Sequence, residues 1–383
     1  RNRLSSVYKK IYLCYNYGTK CGKIILTIPH STEDLRIMSD SHKLQRAAVK
    51  VTLDKVMKYI DKNPQENICK MLSVAEKLTK NIFPAGNLKK MREVVRDDNN
   101  VWTKYALGIL NDIDRDVIKK MIMAFGFDAG YYGTKTVRRN REKLHCNVPF
   151  IILFDPTSAC NLHCKGCWAA EYGHKQSLTN EEMQSIVSQG KALGTHVYML
   201  KNDIIELAAN NQDCVFLIYT NATLVDQKFC DDLKRVGNVA LAMSIEGTEE
   251  SNDWRRGEGA YNATLKAMEL LKKNKCLFGI SVCYTRKNDE YVTSDDFIDK
   301  MIENGSKFAF YFNYMPVGHG ADKELIPTPD QREYMYRWLR KMRNGKTGKP
   351  MFVMDFQDDG EYVGGCIAAG RNYFHINSAG DIE

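Results

Sequence analysis

Two rhythms of hydrophobic and polar positions run along the chain and meet near Pro149. Before that point apolar residues recur every three or four positions. Leu44, Ala47, Ala48 and Val51 form one such group, and Leu53, Val56, Met57 and Ile60 another, with the stripe shifting between them. The spacing predicts a helix capped by Asp40-Ser41 and ended before Pro64. Further helices are expected over 66–82, 87–97, 101–111 and 114–125, with Pro and Gly in the gaps. The stretch 125–133, Phe-Gly-Phe-Asp-Ala-Gly-Tyr-Tyr-Gly, reads as a linker, and 135–141 as a basic run.

After Pro149 short apolar runs alternate with amphipathic segments. The runs lie at 150–154, 196–200, 214–220, 239–245, 277–283 and 308–314. Helical patterns fill 179–193, 202–210, 226–236, 260–274 and 294–304, with a last one at 329–344. Six strand-then-helix units in succession imply an α/β fold whose parallel strands are joined by crossover helices. A partial (β/α)6 barrel is favoured over an open doubly wound sheet. The expected organisation is a helical domain over 1–149, the barrel over 150–345, and a small C-terminal hairpin extension over 346–383.

The loop expected after the first strand holds Cys160, Cys164 and Cys167, a C-x3-C-x2-C pattern. Three thiolates on one tight loop at the C-terminal end of a barrel strand suit three irons of a [4Fe–4S] cluster, leaving one iron for a small ligand. Asn161 and Gly166 tolerate the backbone angles such wrapping needs. The competing readings are three buried thiols, or a zinc site with His163 or His174 as fourth ligand. Buried thiols rarely cluster in a polar loop, and no second close cysteine pair supports zinc.

The cysteine triplet followed by β/α units resembles the radical S-adenosylmethionine (SAM) superfamily, over about residues 150–345. The resemblance implies that the unique iron binds SAM and that an electron from the cluster cleaves it to methionine and a 5′-deoxyadenosyl radical. That radical then abstracts hydrogen from a substrate, with the protein supplying position and dryness. The electron would come from a flavodoxin- or ferredoxin-type donor. Family members commonly carry an aromatic residue before the third cysteine. Here it is Gly166, and Trp168 is the candidate to supply the flat surface near adenine.

The resemblance extends to other strand ends. Tyr219-Thr220-Asn221-Ala222 is similar to the family's Thr-Asn-Gly, and Ser244-Ile245-Glu246-Gly247 to its Ser-Ile-Asp-Gly. It implies that Asn221, Ser244 and Glu246 contact SAM, that Arg286 pairs with its carboxylate, and that Asn313 and Met315 line the adenine pocket. Arg255 is expected in a solvated loop, and His319 as a loop residue. The family's Gly-Gly-Glu-Pro turn after the second strand is missing. The chain starts at Arg1 and stops at Glu383, so the expected cause is a gap in the sequence near Leu200–Lys201. The segment from Cys366 to Glu383 resembles the opening of a SPASM domain, in which Cys366 would help hold an auxiliary iron–sulfur cluster and a second Cys would follow two residues past Glu383.

Twelve cysteines in 383 residues are too sparse for a small disulfide framework and fit a reducing, cytoplasmic location. No run of about 18 apolar residues occurs, which excludes a spanning helix of the ordinary kind. The apolar stretch 24–28 is too short for a signal peptide. Charge changes the picture more. Residues 1–149 carry 29 Lys and Arg against 15 Asp and Glu, an excess of 14, while the rest carries 26 against 32. Such imbalance points to an anionic partner, with solvated basic helix faces as the alternative. Tyr8, Tyr12, Tyr15 and Tyr17 among basic residues fit a peripheral site on an anionic membrane surface. Nucleic acid is disfavoured because stacking aromatics interleaved with Arg are sparse. The substrate class expected is a peptide, a protein or a membrane lipid. The rival reading is a non-catalytic iron–sulfur or zinc protein that binds a partner through its helices.

Overall fold

A computed structural model describes residues 32–78, 87–167, 176–201, 204–317, 321–368 and 370–382. The expected strands form, and two more join them: β1 (Ile151–Phe154), β2 (Val197–Lys201), β3 (Val215–Thr220), β4 (Val239–Ser244), β5 (Phe278–Tyr284), β6 (Phe308–Asn313), β7 (Phe352–Asp355) and β8 (Tyr373–Ile376). The sheet order is β7-β6-β5-β4-β3-β2-β1-β8, and every neighbouring pair is parallel. Six units were legible in the pattern; the added edges come from the segment read as a C-terminal extension. That segment keeps a hairpin character, since Ile376 bridges Ile382 antiparallel across the Asn377–Asp381 turn.

Parallel strands covered by helices are buried on their outer face, so their sequences read as continuous apolar runs. In β6 Ala309 and Tyr311 are buried outward, while Phe308, Phe310 and Phe312 are half-exposed inward. The inward rings show that the sheet curves into a partial barrel. Tyr219 of β3 meets Phe310 and Phe312 of β6 edge-on at 6.0 and 5.7 Å, although two strands separate them in the sheet. Phe356, just past β7, stands 5.2 Å from Tyr373 of β8, so a ring contact links the two open edges.

The break expected near Leu200–Lys201 falls at the end of β2. Strand β2 runs through Leu200 and Lys201, which pair with Ile218 and Tyr219. Residues 202–203 lie outside the described residues, and a helix of six residues, Ile205–Asn210, follows.

The helical part covers the N-terminal rim of the barrel. Helix α1 (Thr32–Ile60) and α2 (Pro64–Leu78) pack with α5 (Arg115–Met121) around Leu53, Met57, Ile60 and Val117, while α3 (Asn87–Arg96) and α4 (Val101–Asp112) lie between them in sequence. The stretch read as a linker is instead a π-helix, Ile122–Gly133, running straight into α6 (Thr134–Leu144). Its Gly and aromatic content lowers helix propensity, but packing overrides propensity. Ala124 and Ala129 are fully buried, and a Cβ on Gly133 would come within 2.6 Å of the Gly194 carbonyl.

Much of the basic charge in this region is used internally. Asp128 of the π-helix is 0% exposed and accepts from Arg46 Nε at 2.8 Å, with His42 Nε2 at 2.7 Å. Arg46 also donates to the Gln212 carbonyl, and Arg141 to those of Val148 and Arg371. Lys307, just before β6, pairs with Asp112 at 2.5 Å. The tyrosine-rich segment 1–31, on which the membrane-surface expectation rests, lies outside the described residues. No helix among the described residues is long and apolar enough to cross a membrane.

Candidate functional site

The opposite rim, at the C-terminal ends of the strands, holds the cysteine loop. Asp155 closes β1 and the loop begins at Pro156. Its base is strapped by backbone bonds from Leu178 to Pro156 and from Ser158 to Gln176, and by a Thr157–Ser177 bridge. Cys160 is exposed, Cys164 and Cys167 are half-buried, and all three are free.

Neighbouring strand ends hold this loop by name. After β3, Asn221 Nδ2 donates to Asn161 Oδ1 at 2.8 Å and reaches Cys160 Sγ at 3.8 Å, while Asn161 Nδ2 donates to Thr223 Oγ1. Asn161 thus serves through its side chain rather than through an unusual backbone angle. Ala222, where the family pattern has Gly, adopts φ 59°. Gly166 has φ +63°, and a Cβ there would meet Tyr314 Oη at 2.5 Å. Tyr314, just past β6, therefore occupies the space beside residue 166, which accounts for the glycine at that point. The signal for this pairing was invisible in sequence because the partners lie 148 positions apart.

Glu246 is held within the protein. It is 1% exposed and one oxygen accepts from Arg255 Nη1 at 2.5 Å, Arg256 Nε at 2.8 Å and Arg256 Nη2, while the other accepts from the Cys283 N–H. Burial pushes its carboxyl up, but Arg255 and Arg256 outweigh that and hold it below the ordinary glutamate value. Both carboxylate oxygens of Glu246, expected to contact SAM, thus accept from donors of the protein itself. Arg255 is likewise buried rather than solvated, and its carbonyl accepts from the Lys165 N–H at 2.8 Å. The Arg255 carbonyl thus ties α10 (Glu249–Arg256) to the cysteine loop.

Burial pushes the Cys164 thiol up, and Arg256 and Arg255 act against it. Cys283, inside the barrel, is pushed up to about 11 by burial and stays a neutral thiol. Ser244 stands half-buried at the end of β4, in register with Ser281. Asn313 ends β6 with a buried Oδ1 that has no hydrogen-bond partner among the described residues, an acceptor at the same rim. Met315 follows it, 52% exposed. Arg286 is drawn elsewhere: its Nε donates to the Ile326 carbonyl and its ion pair is with Glu324 at 3.7 Å. Trp168, His174 and His319 lie outside the described residues. Cys366 is exposed and free, with its carbonyl bonded to Arg371. A pair the sequence did not reveal joins β1 and β8: His375 Nε2 and Asp155 Oδ2, 3.2 Å apart.

Three free thiols on one loop, an amide aimed at one sulfur, two guanidinium groups behind the loop and an orphaned acceptor across the rim are a donor set that fits a cluster and a polar nucleoside ligand. Residues 154–298 match the profile of the Radical SAM superfamily. Those residues carry a radical SAM domain. Its similarity to the AdoMet-dependent heme synthase of Methanosarcina barkeri is 27% identity over 210 residues, 51% of this chain and 59% of that protein. The fold is that of Streptococcus suis SuiB, solved bound to S-adenosylmethionine, with TM-score 0.52, 17% identity, and coverage of 65% of this chain and 63% of that one. The same protein bound to precursor peptide SuiA gives TM-score 0.51 at 17% identity, covering 65% of this chain and 62% of that one. The chain thus spans less than two thirds of the length of each.

Proposed function

We propose that this radical SAM protein is an enzyme that cleaves S-adenosylmethionine reductively and takes a hydrogen atom from a peptide or protein. The observation that carries the reading is the cysteine loop itself, presented at the C-terminal rim of a parallel partial barrel. Cys160, Cys164 and Cys167 would hold a [4Fe–4S] cluster, which with S-adenosylmethionine supplies one-electron cleavage and hydrogen abstraction. The Asn221 amide would donate to the Cys160 sulfur. The buried Glu246–Arg255–Arg256 group positions the loop from behind. Ser244, Met315 and the unpartnered Asn313 Oδ1 would line the pocket for the nucleoside, and the inward rings of Tyr219, Phe310 and Phe312 form a dry floor. Arg286 is not given a role in binding, because its guanidinium is anchored to the Ile326 carbonyl.

A peptide substrate is supported by the SuiB structure with its precursor peptide and by the position of Cys366 beside the barrel edge, where it would hold an auxiliary cluster with later residues. The M. barkeri relative, named as a heme synthase, favours a tetrapyrrole as the second reading. A lipid substrate would need the 1–31 segment at a membrane surface. The test is anaerobic reconstitution followed by iron analysis and reduction with dithionite in the presence of S-adenosylmethionine. Four or more irons per chain and release of 5′-deoxyadenosine are expected. Zinc in place of iron, with no cleavage, would return the chain to the rival reading of a non-catalytic metal protein.

A further inference from the structure

Reductive cleavage consumes one electron per S-adenosylmethionine, and that electron must enter the cysteine loop from outside. One surface feature stands directly beside that loop. Trp254, on α10, is 42% exposed. Two ammonium groups from different segments flank its ring: Lys165 Nζ lies 4.3 Å from the centroid and Lys287 Nζ 4.9 Å. Lys165 belongs to the cysteine loop and Lys287 follows β5, so three separate elements converge on one ring. Both lysines are exposed, and Arg286 beside Lys287 adds a further cation, paired with Glu324.

The backbone beneath this ring leads inward by a short bonded route. Trp254 is joined to Arg255, the Arg255 carbonyl accepts from the Lys165 N–H at 2.8 Å, and Lys165 is joined to Cys164. Covalent and hydrogen bonds carry electronic coupling better than a gap does. An exposed aromatic anchor ringed by cations is also the composition of a binding hot spot for an acidic partner.

We infer that Trp254, Lys165 and Lys287 form the docking face for an acidic one-electron carrier protein. The carrier would give up one electron there and leave in its one-electron oxidised form, and the electron would pass into the cluster held by the loop. The inference rests on the radical SAM reading, because only that reading requires a reductant at this loop. The two ammonium groups on the ring favour a partner of negative charge, and the loop beneath calls for one that carries an electron.

The experiment uses the anaerobically reconstituted chain and an FMN-loaded, acidic flavodoxin, with binding followed by calorimetry at low and high salt. The wild type should bind and weaken about tenfold or more as ionic strength rises to 1 M, where the Debye length is about 3 Å. Lys287→Glu and Trp254→Ala should each weaken binding roughly tenfold at low salt while leaving the cluster absorbance and dithionite-driven 5′-deoxyadenosine formation at the wild-type level. Unchanged flavodoxin affinity in both variants, or affinity indifferent to salt, would overturn the docking face. Wild-type protein that binds flavodoxin but yields no 5′-deoxyadenosine even with dithionite would instead overturn the radical SAM reading.

Discussion

The two rims of the barrel use similar residues to opposite ends. At the N-terminal rim Arg46 and His42 converge on the buried Asp128, the helical layer closes over them, and the Gln212 carbonyl accepts from a further Arg46 N–H. At the C-terminal rim Arg255 and Arg256 converge on the buried Glu246, but they stand behind a loop that offers free thiols to solvent. The N-terminal rim also brings Cys214, His196 and Asp213 within 4.8 Å. There burial pushes the thiol well up and the imidazole down, and Lys191 pairs with the carboxylate. What separates chemistry from packing is therefore the exposure of the backbone that carries the residues.

The largest expected effect breaks the C-terminal rim outright. Cys160→Ala, Cys164→Ala or Cys167→Ala should abolish 5′-deoxyadenosine release and lower bound iron, measured after identical reconstitution; product formation in any of them would refute the ligand assignment. Next comes Glu246→Ala, which leaves two buried guanidinium groups without a counter-charge and should cost about 3–5 kcal/mol in chemical denaturation. Its loss should also loosen the Lys165–Arg255 tie and reduce iron retention. Asp128→Ala removes the matching acid at the other rim. A cost of roughly 2–4 kcal/mol is expected there, with SAM cleavage by the folded fraction unchanged. Equal damage to catalysis from Asp128→Ala and Glu246→Ala would erase the proposed division between the rims.

Smaller changes sharpen the picture at the cysteine loop. Gly166→Ala forces a Cβ against Tyr314 at φ +63° and should cost about 1–3 kcal/mol. The smallest effect concerns Asp355 at the end of β7, fully buried and pushed up to about 6 by burial. Its folded value lies above the unfolded value of 3.8, so its contribution to stability is fully present below pH 3.8 and is lost as pH rises through about 6. Asp355→Asn should remove that slope, shifting the pH dependence of the melting temperature by roughly a few degrees over that window.

The period of the apolar runs was enough to read six β/α units, and the C-x3-C-x2-C spacing was enough to read the family resemblance, because both are local patterns. Two kinds of error came from the same source. The segment 125–133 has linker composition, yet Ala129 is fully buried and Gly133 packs against the Gly194 carbonyl and the His196 ring, and close packing outweighs propensity. Glu246 has ligand-like placement at a strand end, yet two arginines nine and ten residues later claim its carboxylate.

By itself the sequence determined the strand-and-helix alternation, the parallel connections and the thiol loop, since each depends on residues within a few positions of one another. Only the tertiary structure decided that β7 and β8 extend the sheet at both edges, that Tyr314 fills the space beside Gly166, that His375 meets Asp155, and which charges are buried together. Those outcomes join residues far apart in the chain, and their energies depend on shape and desolvation, which no local pattern records.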